Sequence, residues 1–109
     1  MNGAIIPNNS KSTITITPSN NAEFVGKRVG NVCYINIATT GSAVNTGWTT
    51  IGQLTNSHDY PAENVTATIL NTSLNSVGYV QINTSGLIRV YQSLVQGFVG
   101  AASNITYII

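Results

Sequence analysis

GYVQINTSGLIRVY (Gly78–Tyr91) places two short alternating runs on either side of Thr84-Ser85-Gly86. With those three residues as the loop, Ile82 faces Ile88, Gln81 faces Arg89, Val80 faces Val90 and Tyr79 faces Tyr91 across an antiparallel ladder. Successive residues of a strand alternate sides. Val80, Ile82, Ile88 and Val90 therefore share one face, and Tyr79, Gln81, Arg89 and Tyr91 the other. A shift of one residue would set Val80 against Arg89 and mix the faces. Three-residue hairpin loops commonly end in a residue at positive φ, and Gly86 stands where that residue must go. The stretch predicts an antiparallel hairpin with one apolar and one amphipathic face.

The rest of the composition agrees with strands. Charged residues are 6% of the 109, where an ordinary globular chain has about a quarter. Polarity comes instead from Asn, Thr and Ser, alongside many β-branched residues and few strong helix formers, a mixture suited to strands joined by turns. The length fits one domain able to bury a single core. A formal net charge of +1 gives no electrostatic case for nucleic acid or an anionic membrane, and little repulsion to keep copies apart. No apolar run is long enough to span a bilayer, so membrane insertion is not expected, and no signal peptide is recognisable. Cys33 is the only cysteine, so an internal disulfide is excluded. On the same strand face as Ile35 and Ile37, it reads as a buried, inert thiol rather than a nucleophile or metal ligand. Four Asn-X-Ser/Thr matches, at Asn64, Asn71, Asn83 and Asn104, carry no weight in so Asn- and Thr-rich a chain.

Residues 1–11 contain Pro7 and an Asn-Asn-Ser cluster and read as a lead-in segment, with one β domain over 12–109. Ser12–Thr17 alternates strictly, Ile14 and Ile16 inward, and Pro18 ends it. Glu23–Val29 is a weaker strand whose Lys27-Arg28 suits an edge or exposed position, most simply a solvated edge. Val32–Ala38, Trp48–Leu54 and Val65–Leu70 are further strands. Thr39–Gly47, Asn71–Ser76 and Ser93–Gly97 are loops or turns, Thr55–Glu63 is irregular, and Phe98–Ala102 is a short strand. Ile105–Ile109 closes the chain with apolar residues on both faces, which predicts a central strand or one covered by another subunit. About eight strands at short spacing, without helices, predict an all-β antiparallel sandwich or barrel. The face of Tyr79, Gln81, Arg89 and Tyr91 and the two-sided closing strand exceed what a monomer needs to expose, which points to a symmetric oligomer.

The run Gly47-Trp48-Thr49-Thr50-Ile51-Gly52-Gln53-Leu54, then Tyr60-Pro61, Gly78–Ile82 and Ser85–Tyr91, resembles the C-terminal head domains of receptor-binding and baseplate proteins from tailed phages of Gram-positive, lactic-acid-type bacteria. Those heads carry a G-W-T-x-I-G-x-L strand, a Y-x-P-like loop, a V-x-I…G-x-I-x-V hairpin and a short hydrophobic terminal strand. The likeness covers about Ser12 to Ile109. In this chain Pro61 follows Tyr60 directly, and His58-Asp59 stands where such heads often carry Pro or Gly. The resemblance implies a jelly-roll-like antiparallel β-sandwich, trimeric about the fibre axis, at the distal tail or baseplate of a virion. It also implies binding to saccharide of the host cell wall or surface without enzymatic activity or cofactor.

Sugars are held by an aromatic face against the ring and by fixed polar groups on the hydroxyls. His58, Asp59 and Tyr60, with Glu63 close by, form the one dense cluster of that kind, in a loop, where binding groups tend to lie. The structural alternative is a surface turn before Pro61 with Asp59 bonding its own backbone. As part of a sugar site, Asp59→Ala would weaken adsorption without lowering the melting temperature. Trp48 is a candidate stacking platform, or a core or interface residue. Arg89, between Tyr79 and Tyr91, suits a saccharide, a phosphate or a subunit contact. Catalysis has little support: Glu23 and Glu63 are the one conceivable glycosidase pair, and no nucleophile elbow, HExxH or Cys/His metal spacing occurs. Three readings follow: a host-recognition head, a trimerising connector that docks other tail or baseplate proteins, and a polysaccharide depolymerase.

Overall fold

Alternating sequence becomes strand almost wherever the computed structural model describes the chain, at residues 11–19, 21–39, 47–70, 76–92 and 100–109. The strands are β1 (Lys11–Ile14), β2 (Ile16–Pro18), β3 (Glu23–Val29), β4 (Val32–Thr39), β5 (Gly47–Leu54), β6 (Val65–Leu70), β7 (Ser76–Ile82), β8 (Leu87–Gln92) and β9 (Gly100–Ile108). They form a four-stranded sheet in the order β1-β3-β4-β9 and a five-stranded sheet in the order β2-β5-β8-β7-β6, antiparallel throughout. The two sheets pack as a sandwich. The chain changes sheet between β1 and β2, β2 and β3, β4 and β5, and β8 and β9, while β3–β4 and β6–β7–β8 are plain meanders. The residues read as the lead-in (before Lys11) and most of the three polar connections (40–46, 71–75 and 93–99) lie outside the described residues.

The β7–β8 hairpin has the register its alternation predicts, Tyr79 to Tyr91 through Ile82 to Ile88. Its turn is built by Asn83, whose Oδ1 accepts from the Ser85 amide at 3.0 Å and the Leu87 amide at 3.0 Å, while Gly86 takes φ +80°. The inward faces supply the core: Ile14, Ile35, Ile37 and Ile105 from one sheet, and Ile51, Leu54, Val80, Ile82, Ile88 and Val90 from the other, all buried. Each fully buried side chain of this size contributes roughly 1.5–3 kcal/mol. Cys33 is among them, fully buried.

Three expectations need correction. Ser12–Thr17 is not one strand: the chain breaks at Thr15 and enters the other sheet, and the Thr15 carbonyl accepts from the Thr55 amide at 3.1 Å and hydroxyl at 3.2 Å. Lys27-Arg28 does not lie on an edge, because β1 covers β3 on its outer side; Lys27 is exposed and Arg28 partly buried. The closing segment, 98–102 in part and Ile105–Ile109, forms one edge strand, β9, and not a central one, which leaves the other alternative, cover by another subunit, standing. Ile105 and Tyr107 face inward and Ile108 is 71% exposed. Edge placement is tolerated because β9 packs beside β6 of the other sheet.

A β-bulge at Ile51 interrupts the pairing of β5 with β8 between Thr50 and Gly52. It shifts the alternation, so Ile51 and Leu54, three apart, both reach the core. Gly52 fits closely there: a Cβ would stand 3.0 Å from the Phe24 ring and 3.2 Å from Ile16 Cγ2, so those side chains would have to shift to admit one. Trp48 and Thr50, before the bulge, keep to the outer face.

Candidate functional site

The segment between β5 and β6 closes one rim of the sandwich. Asn56 caps a single 3-10 turn at Ser57–Asp59, its Oδ1 accepting from the His58 amide at 2.9 Å and its carbonyl from the Asp59 amide at 2.9 Å. The turn directs Asp59 over the four-stranded sheet, where Arg28 lies on the same side of β3 as the buried Gly26. Arg28 Nη1 lies 3.3 Å from Asp59 Oδ1 and donates to the His58 carbonyl at 3.2 Å; Nε donates to the Gly30 carbonyl at 2.8 Å. Asp59 is 6% exposed. From β9, the Tyr107 hydroxyl donates to the Asp59 carbonyl at 2.6 Å. Burial pushes the Tyr107 hydroxyl well above its ordinary value, and neighbouring Cys33 adds to the shift. Burial also raises the Cys33 thiol, an effect opposed by its hydrogen bond with Tyr107.

Tyr60 is half-buried against the core. Its hydroxyl donates to the Leu54 carbonyl at 3.3 Å, and its ring occupies the space a Cβ at Gly86 would need. Gln53 Nε2 bridges the Leu54 carbonyl at 2.9 Å and the Ser85 carbonyl at 2.8 Å, tying this rim to the hairpin turn. Only His58 and Glu63 of the loop's candidate residues are exposed. The carboxylate and the aromatic ring that would grip a sugar are engaged in holding the rim together.

The outer face of the five-stranded sheet is different. The registers set two rows across four strands: Thr50, Arg89, Gln81, Thr66, and Trp48, Tyr91, Tyr79, Thr68. Arg89 Nε and Nη2 both donate to Gln81 Oε1, at 3.0 and 2.8 Å, and the guanidinium carbon sits 4.2 Å from the centre of the Trp48 ring. Trp48 meets Tyr91 edge-on, with ring centres 5.2 Å apart. Trp48 is 45% and Tyr79 52% exposed. The array offers aromatic rings, a fixed guanidinium and threonine hydroxyls on one sheet face.

The structure thus brings Trp48 and Arg89 together and keeps them from His58, Asp59, Tyr60 and Glu63. Trp48 follows Gly47 at the start of β5 and Leu54 ends it, a separation of about 20 Å at strand rise, while Arg89 stands about 10 Å along β8 from Gly86, which packs against Tyr60. Sequence reasoning took Arg28 only as half of an exposed Lys27-Arg28 pair, although alternation from Phe24 through Gly26 already set it inward. It also passed over Gln81 as a site residue, although the hairpin register placed it opposite Arg89. Among the described residues, no three of His, Cys, Asp and Glu converge as metal ligands, and no helix is long and apolar enough to cross a membrane. No protein-family model and no curated protein sequence matches this chain.

Proposed function

We propose that the chain is a non-enzymatic receptor-binding head domain of a phage tail or baseplate, which recognises host cell-surface saccharide as a homotrimer within the virion. The observation that carries this reading is the Trp48–Arg89–Gln81–Tyr91 array on an exposed sheet face, combining ring-stacking surface with oriented donors. The resemblance of Gly47–Leu54 and Gly78–Tyr91 to phage head domains supports it, and those same two stretches build the array. One shallow site binds weakly; three in a trimer, repeated at a tail tip, gain durable adhesion through effective concentration. The purified chain should be retained on Gram-positive cell walls or a glycan array, and Trp48→Ala should reduce retention at an unchanged melting temperature. Absence of retention on both surfaces refutes saccharide recognition.

A second reading, a trimerising structural domain that docks another virion protein, draws on the opposite face. There Val29, Val32 and Ile108 form a cross-strand row, and Val25 and Tyr34 are also exposed. In the first reading the same surface would join protomers. Sedimentation as a monomer at micromolar concentration would remove the trimer from both.

A further inference from the structure

We infer that the Trp48–Arg89 surface takes an anionic saccharide, one carrying a carboxylate or phosphate, with Arg89 as the residue that selects the charge. The inference rests on the proposed saccharide recognition and names its ligand class.

The chain has three acidic residues, and among the described residues the one ion pair joins Arg28 to Asp59. Arg89 is half-buried and held without a counterion. Trp48 fixes the plane of its guanidinium and Gln81 fixes its rotation, taking the Nε/Nη2 edge. Among the described residues no acceptor meets Nη1, so the Nη1/Nη2 edge presents parallel N–H groups. That fork matches two oxygens of a carboxylate or phosphate. A neutral sugar would need no such group, since hydroxyls and amides suffice for its hydroxyls, and Thr50 and Thr66 already stand at the two ends of the row. Tyr79 and Tyr91 lie in the adjacent row, about 7 Å away at two residues along a strand. The stacked ring and the anion therefore belong to the same or neighbouring sugar units.

Trp48 is the only tryptophan, and the guanidinium rests on its ring, so its emission reports directly on the site. Titration with trigalacturonate and its neutral methyl ester, and with glucose 1-phosphate and glucose, separates charge from ring shape and carboxylate from phosphate. At least one anionic member should bind about tenfold more tightly than its neutral counterpart, as expected for charge-assisted bonds. Added salt should erode that preference, Arg89→Gln should abolish it, and Arg89→Lys, lacking the fork, should retain only part. Equal binding of charged and neutral sugars overturns the inference while leaving saccharide recognition standing. Emission that responds to no sugar, with retention on cell walls also lost, overturns both. Emission that depends on protein concentration alone would assign this face to contact between copies and overturn the inference.

Discussion

The rim loop and the outer sheet face hold the same kinds of group and use them in opposite ways. Each has an arginine, a tyrosine and a glutamine. At the rim, Arg28 is neutralised by Asp59, Tyr60 packs against the core and Gln53 bridges two carbonyls. On the sheet face, among the described residues, Arg89 bonds the neutral Gln81 and lies over the Trp48 ring, with no carboxylate beside it. A dense polar cluster is therefore no measure of binding capacity; what counts is which donors and acceptors remain after the fold has used its share. The rim should affect stability and leave binding alone, and the face should do the reverse.

The largest effect should come from Gly86→Val. It forces a β-branched residue into φ +80° and drives a side chain into the Tyr60 ring, 2.7 Å from Cδ1. The left-handed backbone and the overpacking together cost roughly 3 kcal/mol, read as a lower urea midpoint. Asp59→Ala comes next. It leaves Arg28 unpaired, and because the arginine side chain keeps 27% exposure the cost is about 2 kcal/mol rather than that of a fully buried pair. Sugar binding per folded molecule should be unchanged. That reverses the expectation from sequence, in which Asp59→Ala weakens adsorption and spares the melting temperature. Weakened binding at unaltered stability would return Asp59 to the site and dissolve the contrast.

A pH titration reaches the same rim by another route. Cys33 and Tyr107 have folded values raised above their ordinary 9.0 and 10.0. Below pH 9 both are protonated in folded and unfolded chains, and their contribution is fully present. As pH rises through 9 and 10 the unfolded chain releases these protons first, so stability falls, by at most about 1.4 kcal/mol per pH unit for each group. Cys33→Ala should remove the earlier part of the decline and Tyr107→Phe the later part. Tyr107→Phe should also cost about 1–2 kcal/mol at neutral pH, since the Asp59 carbonyl loses its donor. A flat melting temperature from pH 8 to 11 would contradict the buried Cys33–Tyr107 arrangement.

How much was legible follows from range. The hairpin register, the sides taken by Tyr79, Gln81, Arg89 and Tyr91, and the burial of Cys33 are consequences of alternation over a few residues, and all were readable. The break at Thr15 was not, because STITIT alternates unbroken and only the distant Thr55 shows where the chain leaves one sheet for the other. Nor was the bulge at Ile51, since an extra residue looks like ordinary sequence until its partner strand is known. The pairing of Arg28 with Asp59 joins residues 31 apart, beyond any local pattern. Sequence proximity suggested a cluster in His58-Asp59-Tyr60; tertiary partners turn Asp59 and Tyr60 toward the fold and leave His58 exposed, which no local pattern indicates.

The smallest effects should come from His58→Ala and Glu63→Ala, and they probe the contrast most finely. Both side chains are exposed on the rim, and the structural work near His58 is done by its backbone: its amide donates to Asn56 and its carbonyl accepts from Arg28. Neither substitution disturbs those bonds, so each should change stability by less than about 0.5 kcal/mol. If the rim is purely structural, the double variant should also bind cell-wall saccharide as the parent does. A severalfold loss of affinity in the folded double variant, with melting unchanged, would mean that the loop contacts ligand through the two side chains the fold leaves free. The separation between a rim that holds and a face that binds would then fail at its exposed residues, even with Asp59 and Tyr60 locked in place.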